Sequence, residues 1–115
     1  MKIYEMNLSP LPFSKIKSGK KKVEMRLAKS NRKEISKGDI INFTNNETGE
    51  KISVEVISNT YFASFKELYE YFPKEDLGYE INENSDYRDM NEYYSDSDIA
   101  TYGVLAIGIE LIERN

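Results

Sequence analysis

Gly19-Lys20-Lys21-Lys22-Val23-Glu24-Met25-Arg26 is where the chain sets a polar constellation inside what reads as regular structure. A glycine turn exposes backbone N–H groups and puts Lys20 and Lys21 at the mouth of the strand that follows. Alternation then divides the strand, with Val23, Met25 and Leu27 toward a core and Lys22, Glu24 and Arg26 together on the opposite face. Cationic donors beside a carboxylate suit recognition of a phosphate or carbonyl, or proton transfer if a lysine loses its charge. A Glu and an Arg two apart on an exposed strand also make an ordinary surface ion pair, worth under about 1 kcal/mol. The glycine turn immediately before the pair favours the floor of a pocket or groove for a nucleic acid or nucleoside-sized ligand.

The residue inventory narrows the chemistry. The chain has no Cys and no His, which removes disulfides, thiol nucleophiles, Ser-His and Cys-His relays and the usual zinc ligand sets. Catalysis would have to run on Lys, Arg, Asp, Glu, Tyr, Ser or Thr. An oxygen-liganded ion such as Mg2+ is compatible with these residues, but no pattern resembles a dedicated metal cage, and no cofactor is expected.

The formal net charge of −4 conceals an asymmetry. Residues 15 to 37 carry ten Lys or Arg against Glu24 and Glu34, whereas residues 67 to 98 carry eleven acids against Lys74 and Arg88. The first block is a candidate phosphate surface. The second is either a solvated face or a segment lying across the first, where it would compete with a nucleic acid. A net-acidic chain is a poor generic nucleic-acid binder, which favours a small or structured ligand over long RNA.

The elements that must position these residues can be read from periodicity. Lys2 to Leu8 alternates, with Tyr4, Met6 and Leu8 on one face, as a strand does. Ser9-Pro10-Leu11-Pro12 offers an N-cap and prolines tolerated in a first turn, so a short helix over about 12 to 18 ends at Gly19. The strand Lys22 to Ala28 follows, and Ala28 to Lys37 reads as a basic loop. Lys37-Gly38-Asp39 turns the chain into Ile40, Ile41 and Phe43, and a turn at Asn45 to Gly49 joins this strand to Lys51 to Tyr61 as a hairpin. Ser64 and Glu67 form a capping box for a helix over about 65 to 72. Residues 74 to 92 are an acidic insert with a weak helical signal at Tyr87, Met90 and Tyr94. Ser95 and Asp98 cap a further helix that Gly103 ends, and Val104 to Ile112 reads as a strand buried on both faces.

Residues 1 to 115 therefore form one α+β domain, a small curved sheet or barrel of five to six strands with short inserted helices. With no run of about 18 apolar residues and no charged-apolar-small leader, neither a membrane span nor a signal peptide is expected, and a cytoplasmic location is the default. The sequence leaves the oligomeric state open.

Phe13-x-x-Ile16-x-x-Gly19-x-Lys21-x-x-Glu24-x-Arg26, Gly38-Asp39-x-Ile41-x-Phe43, Tyr94-Ser95 and Tyr102-Gly103-Val104-Leu105, taken in order, resemble the ASCH domain family over nearly the whole chain. The resemblance implies a PUA-like pseudo-barrel with a cleft lined by the Gly-x-Lys-x-x-Glu-x-Arg strand. It also implies an RNA or a modified nucleoside as partner. One small bacterial branch of that family is an amidohydrolase that deacetylates N4-acetylcytidine with a lysine, a threonine and a glutamate. Lys21 stands at that lysine's position. Glu24 stands where the branch has its threonine, and Lys22 follows the lysine where threonine is usual.

Two functions of different class follow. The first is a binding module in which Lys20, Lys21, Lys22 and Arg26 meet phosphate or base edges. Glu24 would accept from an exocyclic amine or orient Arg26, and Tyr94 or Tyr93 would stack a base. The second is an amidohydrolase using Lys21, Glu24 and a downstream carboxylate, with Glu92, Asp96 and Asp98 as candidates; Asp98 is equally suited to capping its helix. A lysine acts as a base near neutral pH only when pulled down from about 10.4, and a neighbouring carboxylate works against this. A ribonuclease without His is a third possibility.

Overall fold

A computed structural model describes residues 1–112. Strand β1 (Ile3–Leu8) leads into helix α1 (Pro10–Lys17), strand β2 (Val23–Leu27), a 3-10 turn (Ser30–Glu34) and strands β3 (Ile40–Asn45) and β4 (Lys51–Phe62). Helix α2 (Phe65–Tyr71), a second 3-10 turn (Tyr87–Glu92), helix α3 (Asp96–Tyr102) and strand β5 (Val104–Leu111) follow. The five strands form one sheet in the order β1-β3-β4-β5-β2, parallel between β1 and β3 and antiparallel elsewhere.

The sheet curls into a half-barrel because β4 bends. Residues 51–55 pair with β3 and residues from Val54 onward with β5, where the register shifts between Val56 and Ser58. A bulge of this kind raises the local twist and bends the strand. The alternating residues Tyr4, Met6 and Leu8, with Ile41, Phe43, Val54 and Val56, fill the inside, and α1 closes it with Phe13 and Ile16.

Strand β5 is buried on both sides, as its apolar run predicts. Leu105, Ile107 and Ile109 face the barrel interior, while Val104 and Ala106 face outward into a second cluster with Val23, Met25, Leu27, Phe65, Leu68, Leu77 and Met90. Burying side chains as large as Phe65 and Leu68 stabilises the fold by roughly 2 kcal/mol each. This outer cluster fixes α2 and the acidic insert against β2.

Local signals account for most boundaries. The hydroxyls of Ser64 and Ser95 accept from the N–H groups of Glu67 and Asp98. Helix α1 starts earlier than its apolar spacing indicates, at Pro10, because proline at a first helical position lacks only an N–H that would be unpaired anyway. Ser9 precedes it with extended backbone but makes no side-chain cap. The basic loop is not featureless, since it contains the 3-10 turn at Ser30–Glu34. The acidic insert lies against the basic block, where Glu80 and Glu83 come within 3.6 Å of Lys20 and 4.0 Å of Lys15.

Candidate functional site

The site begins at the end of α1. Gly19 takes φ +80°, a left-handed conformation open to glycine, and its N–H binds the Ile16 carbonyl while that of Lys20 reaches back to Lys15. This is the Schellman arrangement of a helix end. The N–H of Lys21 also binds the Lys15 carbonyl, and the next two N–H groups, of Lys22 and Val23, both bind the carbonyl of Asp76 in the insert. The pleat of β2 therefore begins only at Val23, and Lys21 is delivered by the turn instead of by strand alternation.

That geometry divides the residues expected to share a face. Lys21, Glu24 and Arg26 converge, with Lys21 Nζ 3.4 Å from Glu24 Oε1 and Arg26 Nη2 2.8 Å from Glu24 Oε2. Lys22 does not join them. It is exposed and borders a separate hollow beside Ile57, Gly108 and Glu110, since both N–H groups bound to Asp76 turn the backbone before the pleat starts. Lys20 also stays outside, exposed and facing Glu80.

Glu24 is 3% exposed and is opposite Ile107 of β5, so it points to the inner face of the curled sheet near its open seam. Its Oε1 also accepts from the Met25 N–H, and its Oε2 from Arg26 Nε at 3.0 Å. Burial by itself pushes this carboxyl up, but the charges of Lys21 and Arg26 and the hydrogen bonds of Arg26 and Met25 outweigh it and hold Glu24 below the usual glutamate range. Two cations against one carboxylate leave a net positive charge under the pocket. Arg26 spends its Nε and Nη2 on Glu24 and on the Asn7 carbonyl. Among the described residues Nη1 has no acceptor, which leaves donors to offer a ligand.

Above this triad lies a pocket of about 260 Å³. Asn7, Leu8, Ser9 and Pro12 wall one side, Asn46 borders it, and Met90, Tyr93 and Tyr94 from the insert form the other. Tyr94 stacks on Phe65, with centroids 6.1 Å apart and planes 15° from parallel, so it is held in the outer cluster while lining the pocket. Tyr93 is 56% exposed and is the aromatic face open to a ligand. Burial pushes both hydroxyls up, which keeps them neutral and able to donate. A neighbouring hollow of about 340 Å³ shares Pro12, Lys21, Met25, Met90 and Tyr93, and continues to Tyr79, whose hydroxyl binds Asp89 at 2.7 Å.

The expected third carboxylate is not brought to the triad. Among the described residues lining the pocket, Glu24 is the only acid. Asp98 sits in the first turn of α3 with its N–H capped by Ser95, Asp96 accepts from Asn91, and Glu92 borders the neighbouring hollow. Sequence reading missed Asn7, Asn46 and Met90. Their only signal was that they fall at a strand end, in a turn and in a weakly patterned insert, none of which marks a site.

The family model for the ASCH domain matches residues 6–113. The chain belongs to the ASCH domain family. Two solved structures resemble it over their whole length. The crystal structure of hypothetical protein PH0355 has a TM-score of 0.80 and 34% identity, covering 97% of this chain and 100% of that one. The solution NMR structure of protein PF0455 from Pyrococcus furiosus has a TM-score of 0.69 and 32% identity, covering 99% and 100%. No curated protein matches the sequence. The pocket of this ASCH domain thus belongs to a half-barrel shared with both structures. Among its described residues no helix is long and apolar enough to cross a membrane.

Proposed function

We propose that this ASCH domain binds a nucleoside, free or as one residue of an RNA, in the pocket above Lys21, Glu24 and Arg26. The observation that carries the reading is a buried carboxylate held ionised between two cations at the floor of a pocket with an exposed tyrosine on its rim. Nucleobases present carbonyl and amine edges in one plane. Lys21 and Arg26 supply donors for the carbonyls, Glu24 is placed to accept from an amine once a ligand competes for one of its oxygens, and Tyr93 offers a stacking face.

A second reading, removal of an acyl group from an N4-acylated cytidine, draws on the 3.4 Å approach of Lys21 to Glu24 beside open pocket space. In it water adds to the acyl carbon, the carbon–nitrogen bond breaks, and the departing amine gains a proton. A basic group must accept water's proton and an acid must supply the amine's. With Glu24 doubly ion-paired and no second carboxylate among the described residues lining the pocket, binding is the better supported of the two.

Calorimetric titration with cytidine, uridine, N4-acetylcytidine and a short single-stranded RNA tests the proposal. Saturable binding that weakens about tenfold or more in Lys21→Ala is expected, from loss of a charged hydrogen bond worth about 1.5–3 kcal/mol. No binding of any of these, or binding indifferent to Lys21→Ala, overturns it. Cytidine released from N4-acetylcytidine, and abolished by Lys21→Ala, would establish the hydrolase instead.

A further inference from the structure

The two flanks of the pocket differ in how their cations are used. On the α1 side the acidic insert engages Lys15 and Lys20, and Glu50 engages Lys17. On the other side β2 runs directly into Lys29, Arg32 and Lys33. Among the described residues none of these three has a carboxylate partner. They lie on a fixed segment, because Asn59 of β4 donates through Nδ2 to the carbonyls of both Arg32 and Ile35, at 3.1 and 2.9 Å.

Aromatic faces accompany these cations. Lys29 Nζ lies 5.2 Å above the Tyr102 ring, and Lys33, Asn59, Tyr61 and Tyr102 border one depression. Tyr61 is 57% exposed and packs against Gly103, where an added Cβ would meet the ring. The Asn59 Oδ1 in the same wall is buried without a partner. Arg26 at the pocket floor and Tyr61 both pair with Leu105 of β5, and Leu105 borders the depression, so the floor and the depression meet at this residue. At about 3.3 Å per residue, β2 carries the chain about 10 Å from Glu24 to Leu27, toward Lys29 and the 3-10 turn.

We propose that a single-stranded polynucleotide with one base in the pocket leaves it across Lys29, Arg32 and Lys33, with Tyr61 as a stacking face, and not across α1 and the acidic insert. The inference rests on the pocket reading and gives it a direction. Phosphates released from solvent counterions by unpaired cations gain more than phosphates that must displace Glu80 and Glu83 from Lys20 and Lys15. Base stacking on tyrosine adds affinity with little sequence preference.

The test is fluorescence anisotropy with a labelled single-stranded RNA of about eight nucleotides, at about 50 and 200 mM salt, alongside titration with a mononucleoside. Lys29→Ser/Lys33→Ser, which alters only exposed side chains, is expected to weaken the oligonucleotide about tenfold and to flatten its salt dependence by about 0.7 in slope per lost phosphate contact. Mononucleoside affinity should not change. A charge-matched control, Lys17→Ser/Lys66→Ser, should stay within about twofold of the parent, and adding Arg32→Ser to the loop variant should deepen the loss. Equal losses in loop and control variants, no loss in the loop variant, or no oligonucleotide binding at all overturns the proposal. Oligonucleotide binding that depends on the loop without any nucleoside binding removes the pocket reading and leaves the loop as the anchoring surface.

Discussion

Arg26 and Asn7 stand on β2 and β1, the two edges of the sheet, and Arg26 Nη2 donates to the Asn7 carbonyl at 2.9 Å. The half-barrel is thus joined across its open seam by a side chain where a closed barrel would use a backbone ladder. The same guanidinium holds Glu24, so seam and pocket floor share one group.

Replacing Arg26 should therefore cost more than a surface ion pair would. Arg26→Ala leaves the Glu24 carboxylate buried with Lys21 as its remaining cation and releases the Asn7 carbonyl. A loss of about 3 kcal/mol is expected by chemical denaturation, the range for breaking one side of a buried pair. Arg26→Lys, which keeps the charge but not the fork, should lose less. A cost under about 1 kcal/mol for Arg26→Ala would show the pair behaving as an exposed one.

Acid sensitivity should trace to Glu24. Its folded-state pKa lies below the ordinary 4.5, so the ionised form adds stability that is fully present above that value and is lost as pH falls through the folded pKa. Denaturation midpoints of the parent should hold steady above about pH 5 and then decline. Glu24→Gln should start lower and decline less steeply. Asp39 and Asp86 are also held down, by N–H donors from Lys2 and Ser36 and by Arg88, and contribute slope common to both proteins. Parallel slopes for parent and Glu24→Gln would contradict the assignment.

The two neighbouring tyrosines should separate stability from binding. Tyr94→Ala removes a ring stacked on Phe65 and is expected to cost about 3 kcal/mol of stability. Tyr93→Ala removes an exposed ring, with little change in stability but about 1–3 kcal/mol lost from binding a base. Thermal melts and nucleoside titrations on both variants measure the difference.

Gly103 ends α3 at φ +73° with the Tyr61 ring against it. Gly103→Ala should destabilise by about 2 kcal/mol or more, combining left-handed strain with a clash. Tyr61→Ala in the same chain should recover the clash portion and leave the strain. A double-mutant cycle with no coupling would place the whole cost in the backbone.

Much of this arrangement is legible in the residues themselves. Alternation in 2–8 and 51–56 puts Met6 and Val54 on the faces they occupy, the apolar run from Val104 marks a strand buried on both faces, and Gly19 marks the turn that carries Lys21 to Glu24. Lys22 is misread by the same rule, because periodicity assumes an unbroken pleat and two hydrogen bonds to a distant carbonyl break it. The bridge from Arg26 to Asn7 and the packing of Tyr94 on Phe65 join residues far apart in the chain. Short-range patterns carry no record of such pairs. The acidic insert is ambiguous in sequence for a related reason: charge alone does not distinguish a solvated face from one paired with Lys15 and Lys20.

The carbonyl of Asp76, which accepts the N–H groups of both Lys22 and Val23, sits in a tight turn where Asp76, Leu77 and Gly78 donate back to Pro73, Lys74 and Glu75. A main-chain oxygen is supplied by whichever residue occupies position 76, so that one side chain can be exchanged while Lys21 keeps its station, whereas Leu77 is buried in the outer cluster and Gly78, at φ +105°, lies against the Lys21 side chain. The number of residues in that turn has no such latitude. A single residue gained or dropped there would offer the wrong oxygen to β2, and the cost would be felt at the lysine, more than fifty positions earlier in the chain. Tolerance of the side chain at position 76 combined with intolerance of length is therefore built into the foundation of this site.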